Sequence, residues 1–501
     1  MPKAVEAGWS SIDWGQTQAK VTKLQTKIYL SSRENNKSEV VKYQKMLINS
    51  FSARLLAAKR VTEDNKCRLS LLERRSLAET LKLDGTAAPL RWVDVRQPDG
   101  SLRSMGISTT EERAKQLLAL LALEPEWSAL FEPNSYGFRP GRSGHDAIAA
   151  IELSVRRETK FVLKADIEGC FDRMDRNYLL RKLATFPQME SQIRAWLKSG
   201  ILKGQVFPDP ETVLPSGGAI APLLVNVALH GLETDISTRF PLVKTRQGAA
   251  NGKAIEISIS EARSIRYADK LVILHAKSET IAQCKVEVEN WLREVGLHLD
   301  PNNTRICHTM AEVDGEPPGF DFLGFNIRSF PASKYKSGKK QNGESLEMVT
   351  KVRPSEKSQR EFLDQIKDIL EKGHDKAPSL MIKRLNWKIR SWANYFKSGS
   401  HSWETFAKLE NVLKQIYLNW GKKRFAKRGI GYISRKIFHR GPHSKRTFGW
   451  KEGNKVSLVT TLYEFKYSRH VKVKGTRTPY NGDRLDWMKR RTQHPLASKD
   501  L

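Results

Sequence analysis

The stretch Ser264-Ile265-Arg266-Tyr267-Ala268-Asp269-Lys270-Leu271-Val272-Ile273-Leu274 decides how this chain folds. Two apolar runs, Ser264–Ala268 and Leu271–Leu274, flank a short polar tip, which is the pattern of a β-hairpin. A second segment, Lys164-Ala165-Asp166-Ile167-Glu168-Gly169-Cys170-Phe171-Asp172, closes the apolar strand Phe161–Ile167 on a carboxylate, where Asp166 can meet residues from other strands. Between them, Leu214-Pro215-Ser216-Gly217-Gly218-Ala219-Ile220-Ala221-Pro222-Leu223-Leu224 reads as a turn leading into a helix. From about residue 61 to 330, helices alternate with short β-rich segments that also include Ile255–Ile259 and Phe322–Ile327, predicting an α+β domain.

Outward from this centre the patterning changes. Residues 1–60 read as a helical extension, with Val40, Tyr43, Met46, Leu47, Phe51 and Leu55 at helical spacing. Residues 331–350, containing the Lys-, Gly- and Ser-rich stretch Ser333–Ser345, read as a linker or insertion. Beyond it, Leu385, Ile389, Trp392 and Phe396 form one apolar stripe and Phe406, Leu409, Leu413, Ile416 and Trp420 another, predicting two packed helices. Arg384 and Lys388 lie four apart and off the first stripe, so a cationic face flanks the apolar one. No internal repeat is visible.

The net charge of +31 is unevenly spread. Residues 376–501 hold 30 Lys and Arg against 7 Asp and Glu, which leaves 56 against 48 for the rest of the chain. The same quarter carries 18 of the 43 aromatic residues, whereas disordered tails are poor in aromatics. Interleaved cations and aromatics point to a nucleic-acid surface rather than a solvated tail or a membrane face. No apolar run of membrane-spanning length or signal-like N-terminus is present, so the protein is expected to act where it is made, with no membrane partner. Cys67, Cys170, Cys284 and Cys307 include no close pair and are read as reduced and structural.

Taken singly, a strand-end Asp and a Pro-Ser-Gly-Gly turn are generic. In this order and spacing they resemble the palm of a reverse transcriptase encoded inside a group II intron. The resemblance runs from about Val61 to the C-terminus and includes Glu124-Pro125-Glu126-Trp127, the highly specific Phe131-Glu132-Pro133-Asn134-Ser135-Tyr136-Gly137-Phe138-Arg139-Pro140-Gly141-Arg142-Ser143, and Phe322-Leu323-Gly324-Phe325. It implies a right-hand arrangement of fingers and palm (61–330) followed by an α-helical thumb and maturase domain (351–450) and a basic C-terminal nucleic-acid-binding segment (451–501). In that family the strand-end Asp and a Tyr-Ala-Asp-Asp hairpin hold two Mg²⁺ ions that clamp the attacking and leaving oxygens. The matching positions are Asp166, Asp269 and Lys270. Phe171 matches the residue walling off the sugar 2′ position, and Arg103 a residue contacting the triphosphate.

The departures carry as much information as the matches. Lys270 stands where the family has a second hairpin Asp, a swing of two charge units beside the metal site. At ~5 Å from a divalent ion, with an effective dielectric constant of about 20, each unit is worth roughly 6–7 kcal/mol before solvent relaxation. Ser216 replaces the usual Gln of the substrate-pocket turn, and Asn303 the Lys usual before Thr304, which resembles the proton donor to pyrophosphate. A Gly-Val-Asp loop expected soon after Asn65-Lys66 is missing, for Cys67-Arg68-Leu69-Ser70 follows directly. Four losses in one site read as a decayed polymerase, with Lys270 paired to Asp166 or Asp269 as counter-charge in place of the metals. Mg²⁺ is implied as a cofactor only if the polymerase is active, the alternative reading, in which the chain supports intron mobility.

The thumb and maturase resemblance rests on Pro354-Ser355, Leu385-Asn386, Ile389-Arg390-Ser391-Trp392-Ala393-Asn394-Tyr395 and Leu418-Asn419-Trp420. It implies binding of structured intron RNA and promotion of its splicing, with no cofactor required of the protein. The RNA-facing residues are expected to be Arg384, Lys388, Arg390, Lys422, Lys423, Arg424, Lys427, Arg428, Arg435, Lys436 and Arg440. Target DNA is a further partner the resemblance allows, and monomer and homodimer both stay open. The segment from Tyr467 resembles the stretch preceding an endonuclease in some members. No Cys-pair or His-Asn-His pattern follows it, so no DNA-cleaving domain is expected. The implied compartment is bacterial cytoplasm or the organelle encoding the protein.

Overall fold

The computed structural model describes residues 8–63, 69–96, 102–170, 173–199, 201–202, 218–240, 242–248, 254–260, 262–332, 347–373, 377–441, 446–481 and 487. The chain divides into two compact units. One comprises Met1–Ala147, Leu163–Arg305 and Val473–Leu501; the other comprises Ile148–Val162 and Ile306–Lys472. The fold is α+β, as the alternation of patterns predicts.

The first unit opens with helices Trp14–Arg33, Lys37–Asn49, Phe51–Thr62 and Leu71–Thr80, and a long helix Thr110–Leu130 packs against the first three. The stripe read as continuous from Val40 to Leu55 is broken at Ser50, whose extended backbone (φ −72°, ψ 127°) ends one helix and starts the next. Val40, Leu47 and Leu55 are therefore buried while Met46 and Phe51 stay exposed. Helix Trp14–Arg33 is hard to see in the sequence because its inner face buries Thr17, Gln25, Ser31 and Ser32 alongside Val21 and Ile28. Gln25 Nε2 donates to Leu121 O at 3.0 Å and Gln44 Nε2 to Glu126 Oε2 at 2.6 Å, so these polar groups enter the core with their hydrogen bonds made.

In this unit, strand Phe161–Glu168, which enters it at Leu163, lies beside Lys270–His275, which pairs antiparallel with Arg263–Tyr267. The short strand His298–Leu299 pairs with Ile167 and Glu168. The predicted hairpin forms, and its inner residues Ile265, Leu271, Val272, Ile273 and Leu274 are fully buried. The segment 451–501, expected to bind nucleic acid, includes residues hydrogen-bonded within this unit. Val473 N–H donates to Asp146 Oδ1 (2.8 Å), Arg142 to Gly475 O (2.6 Å), and Tyr480 Oη–H to Glu124 Oε2 (2.5 Å).

In the second unit, strands Phe320–Phe322, Phe325–Pro331 and Met348–Pro354 form an antiparallel sheet. The single strand expected over Phe322–Ile327 is in fact two strands, reversed at Leu323 and Gly324, both with positive φ (48° and 81°). The stretch Ser333–Ser345 lies outside the described residues, but Pro331 and Met348 on its flanks are paired, so it joins two strands of one sheet. Helices Glu356–Lys372, Pro378–Phe396, Ser402–Arg424 and Ile430–Ile437 follow. The first stripe is buried as read, with Phe362 stacked on Trp392 at 4.4 Å. In the second, Tyr417 takes the buried position assigned to Ile416. A sheet of Phe438–Arg440, Arg446–Glu452 and Lys455–Leu458 closes the unit, so the boundary drawn at residue 450 falls inside a strand.

Cys170, Cys284 and Cys307 are buried. Among the described residues no helix is long and apolar enough to cross a membrane.

Candidate functional site

Local backbone geometry brings the two carboxylate segments together. Ala268 adopts positive φ (55°), turning the chain between Tyr267 and Lys270, which are paired across the hairpin. Ile167 N–H then donates to Asp269 O at 2.8 Å, tying the hairpin tip to the end of the Asp166 strand, and Asp300 N–H donates to Asp166 O at 2.8 Å. Lys270 Nζ sits 2.7 Å from Asp166 Oδ2, with side-chain exposures of 38% and 17%. Among the described residues Asp166 Oδ1 is buried without a hydrogen-bond partner, and Lys270 is the counter-charge paired with this carboxylate. Burial disfavours the Lys270 ammonium, but the Asp166 hydrogen bond and the charges of Asp166, Asp269 and Asp300 outweigh it and raise its pKa.

Of the three positions that the resemblance assigns to metal binding, Asp166 and Asp269 are carboxylates and Lys270 is a cation. A divalent ion at Asp166 would have to displace an ammonium already hydrogen-bonded there. Among the described residues no cluster of three or more His, Cys, Asp or Glu side chains is placed to hold a metal. The residues present do not fit a pair of Mg²⁺ ions. Asn303 Nδ2 donates to Asp300 Oδ2 at 2.6 Å within a turn, and its carbonyl accepts from Lys164 Nζ at 3.4 Å. Arg103 belongs to strand Leu102–Ile107, but its side chain, like Phe171 and Ser216, lies outside the described residues.

The segment Phe131–Ser143 packs against the hairpin, with Ser135 bridged to Arg266. Arg266 is buried at 4% exposure and donates to Asn226 Oδ1 (2.9 Å), Ala268 O (3.1 Å) and Ser135 Oγ (2.8 Å). Its backbone N–H donates to Asn134 O and its carbonyl accepts from Tyr136 N–H, both at 2.9 Å. Gly137 is required by close approach, since a Cβ there would lie 2.3 Å from Ala268 N. The fork of Arg266 and the role of Asn226 are not visible as sequence patterns; only the concentration of polar residues in Phe131–Ser143 hints at them.

Beneath this lies a carboxylate pair the sequence reading missed. Glu233 accepts from Asn134 N–H (3.0 Å) and Nδ2–H (2.7 Å), and Glu132 from Thr234 N–H (2.8 Å) and Oγ1–H (2.9 Å). Burial and the Glu132 charge push Glu233 up to about 7. Burial opposes ionisation of Glu132 too, but neighbouring His230 and the Thr234 donors outweigh it and lower its pKa. Because Glu233 is raised above its ordinary 4.5, its favourable contribution is complete below that pH and is lost as pH rises through about 7. Unfolding free energy should fall by something on the order of 2–3 kcal/mol across this window, and Glu233→Gln should flatten that slope, as urea titrations at successive pH values would measure.

The cationic candidates occupy the second unit. On helix Pro378–Phe396, Arg384 and Arg390 are exposed and Lys388 is half-buried; Arg390 Nε also donates to Thr460 Oγ1 at 3.0 Å. Lys422, Lys423, Lys427, Arg428, Arg435, Lys436 and Arg440 are exposed. Arg424 is half-buried, its guanidinium 5.4 and 5.3 Å from the ring centres of Trp420 and Trp450. Arg428 lies 5.4 Å from Tyr432. These contacts orient the two guanidinium groups on aromatic faces.

Three family descriptions match the chain: the N-terminal domain of reverse transcriptase over residues 9–70, reverse transcriptase (RNA-dependent DNA polymerase) over 95–327, and the group II intron maturase-specific domain over 359–440. The chain belongs to the group II intron reverse transcriptase and maturase family. Among similar proteins, the Group II intron-encoded protein LtrA of Lactococcus lactis subsp. cremoris is 30% identical over 191 residues, covering 37% of this chain and 32% of the relative. Protein YkfC of Escherichia coli is 27% identical over 263 residues (48% and 66%). Maturase-like protein 1 of Euglena gracilis is 29% identical over 237 residues (44% and 51%). The matches thus span from about a third to two thirds of the length of these relatives.

Proposed function

We propose that this member of the family binds structured group II intron RNA and promotes its splicing, and that it no longer polymerises DNA. The observation that carries the reading is positional: all eleven cationic candidates, Arg384 to Arg440, fall inside the maturase-specific match over 359–440. In this reading the cations track phosphates along RNA helices, because the deep, narrow major groove of A-form RNA excludes side chains. The chemistry of splicing stays with the RNA. The protein needs no cofactor for this role and works in the compartment where the intron is transcribed. Lys270 opposite Asp166 supports the loss of polymerisation.

Binding to intron RNA should weaken steeply with salt. Neutralising ~6–10 phosphates costs about 10³–10⁵ in affinity between roughly 50 and 200 mM salt. A filter-binding series with a flat dependence would remove the electrostatic basis of the reading. Changing Lys422, Lys423, Arg424, Lys427 and Arg428 together to Ala should lower both binding and splicing of the intron. The circular dichroism spectrum should persist, since four of the five are exposed. Splicing at the original rate would place the RNA surface elsewhere.

A further inference from the structure

Helix Pro378–Phe396 buries Met381, Ile382, Leu385, Ile389 and Trp392 on one face. On another it carries Leu380, Lys383, Arg384, Trp387 and Lys388, spaced three and four apart along a single stripe. Trp387 is 72% exposed and Leu380 55%, the former the most exposed large apolar side chain among the described residues. Leaving an indole in water forfeits much of the burial energy such a ring supplies in a core. Beside it runs a groove of about 490 Å³, formed with Gln365, Asp368 and Ile369 of helix Glu356–Lys372. The acidic member of this wall is already compensated, for Asp368 pairs with Lys372 at 2.7 Å. Lys383, Arg384 and Lys388 therefore give the groove a positive balance around an exposed aromatic plate.

We propose that Trp387 is a stacking platform for an unpaired nucleobase of the RNA, with Lys383 and Arg384 holding the phosphates that flank that nucleotide. The inference rests on the RNA-binding reading above and adds a specific site to it. Charge complementarity selects the occupant: an apolar peptide or a second copy of this strongly basic chain would bring no charge to offset the three cations, whereas a nucleotide supplies a flat π-face and two flanking anions. A paired helix keeps its bases stacked inside, so the site selects loops, bulges and ends over continuous duplex.

The test uses the full chain and two fluorescein-labelled RNA hairpins that share one stem, one closed by an all-adenine loop and the other by an abasic loop. The wild-type protein should bind the adenine loop more tightly. Trp387→Ala should weaken that binding roughly 5- to 150-fold, the loss expected for one stacked base, while leaving the abasic loop and the thermal melting curve unchanged. Trp387→Phe should keep most of the preference. Lys383→Ala with Arg384→Ala should reduce the slope of log affinity against log salt by about one to two for both hairpins. Equal binding of the adenine loop by wild type and Trp387→Ala overturns the stacking site while leaving RNA binding intact. If the wild type binds neither hairpin, the RNA-binding reading fails and takes this site with it. Conversion of a dimer to a monomer by Trp387→Ala, with loop binding unaffected, would assign the face to a second copy and overturn the proposal.

Discussion

Primer extension on an RNA template with Mg²⁺ and dNTPs is expected to yield no product, while splicing of the cognate intron at low magnesium is expected to be stimulated by the same preparation. The first half follows from the hairpin. In-line displacement needs metal ions bridging attacking and leaving oxygens, and here Asp166 Oδ2 is held by Lys270 Nζ at 2.7 Å. Lys270→Asp on its own should not restore synthesis. It returns one carboxylate, but Ser216, Asn303 and Cys67-Arg68-Leu69-Ser70 still stand where the resemblance expects a Gln, a Lys and a Gly-Val-Asp loop. Groups that act as a unit recover little when one is repaired and the others remain absent. Synthesis by the wild type at a rate typical of an active polymerase would replace this account with that of an enzyme supporting intron mobility. Synthesis switched on by Lys270→Asp alone would confine the loss to the hairpin.

How far the sequence could be read depended on whether each element is marked by apolar period or by polar fit. The hairpin over Arg263–His275 and the stripe from Leu385 to Phe396 were legible because alternation and the 3.6-residue period report directly on burial. Helix Trp14–Arg33 was obscured because its buried face mixes apolar residues with Gln and Ser whose hydrogen bonds are made to distant partners such as Leu121 O and Glu126 O. Likewise Leu323 and Gly324 invert the chain inside an apolar run, and only their positive φ, which no residue pattern announces, separates the two strands. At the polymerase site the Lys270 exchange was visible as a charge reversal, yet its choice of Asp166 over Asp269 is a matter of side-chain reach in three dimensions. The cation-rich surface was legible as composition. That Arg424 lies against Trp420 and Trp450, and that Arg390 braces Thr460, required the fold.

The largest stability effect should come from Arg266→Ala. Exposed cations of this protein contribute little to folding, because water screens them and their side chains lose freedom on pairing. Arg266 differs in being enclosed: its guanidinium spans Asn226 Oδ1, Ala268 O and Ser135 Oγ and lies in the field of Glu132 and Glu233. Burial works against the charged guanidinium and lowers its pKa, so the site retains the charge through its acceptors and the two acidic neighbours. Truncation would leave Asn226 Oδ1 and Ala268 O enclosed without this donor and remove the cation facing a buried acidic pair. Breaking such an arrangement from one side typically costs about 3–5 kcal/mol. The expected result is a loss of that size in the urea transition of the first unit, with the helices of the second unit melting as before. Arg266→Lys should recover only part of the loss, since a single ammonium cannot reproduce a planar fork across three acceptors. A loss below about 1 kcal/mol would mean that the segment Phe131–Ser143 holds the hairpin by backbone pairing and the Gly137–Ala268 approach alone.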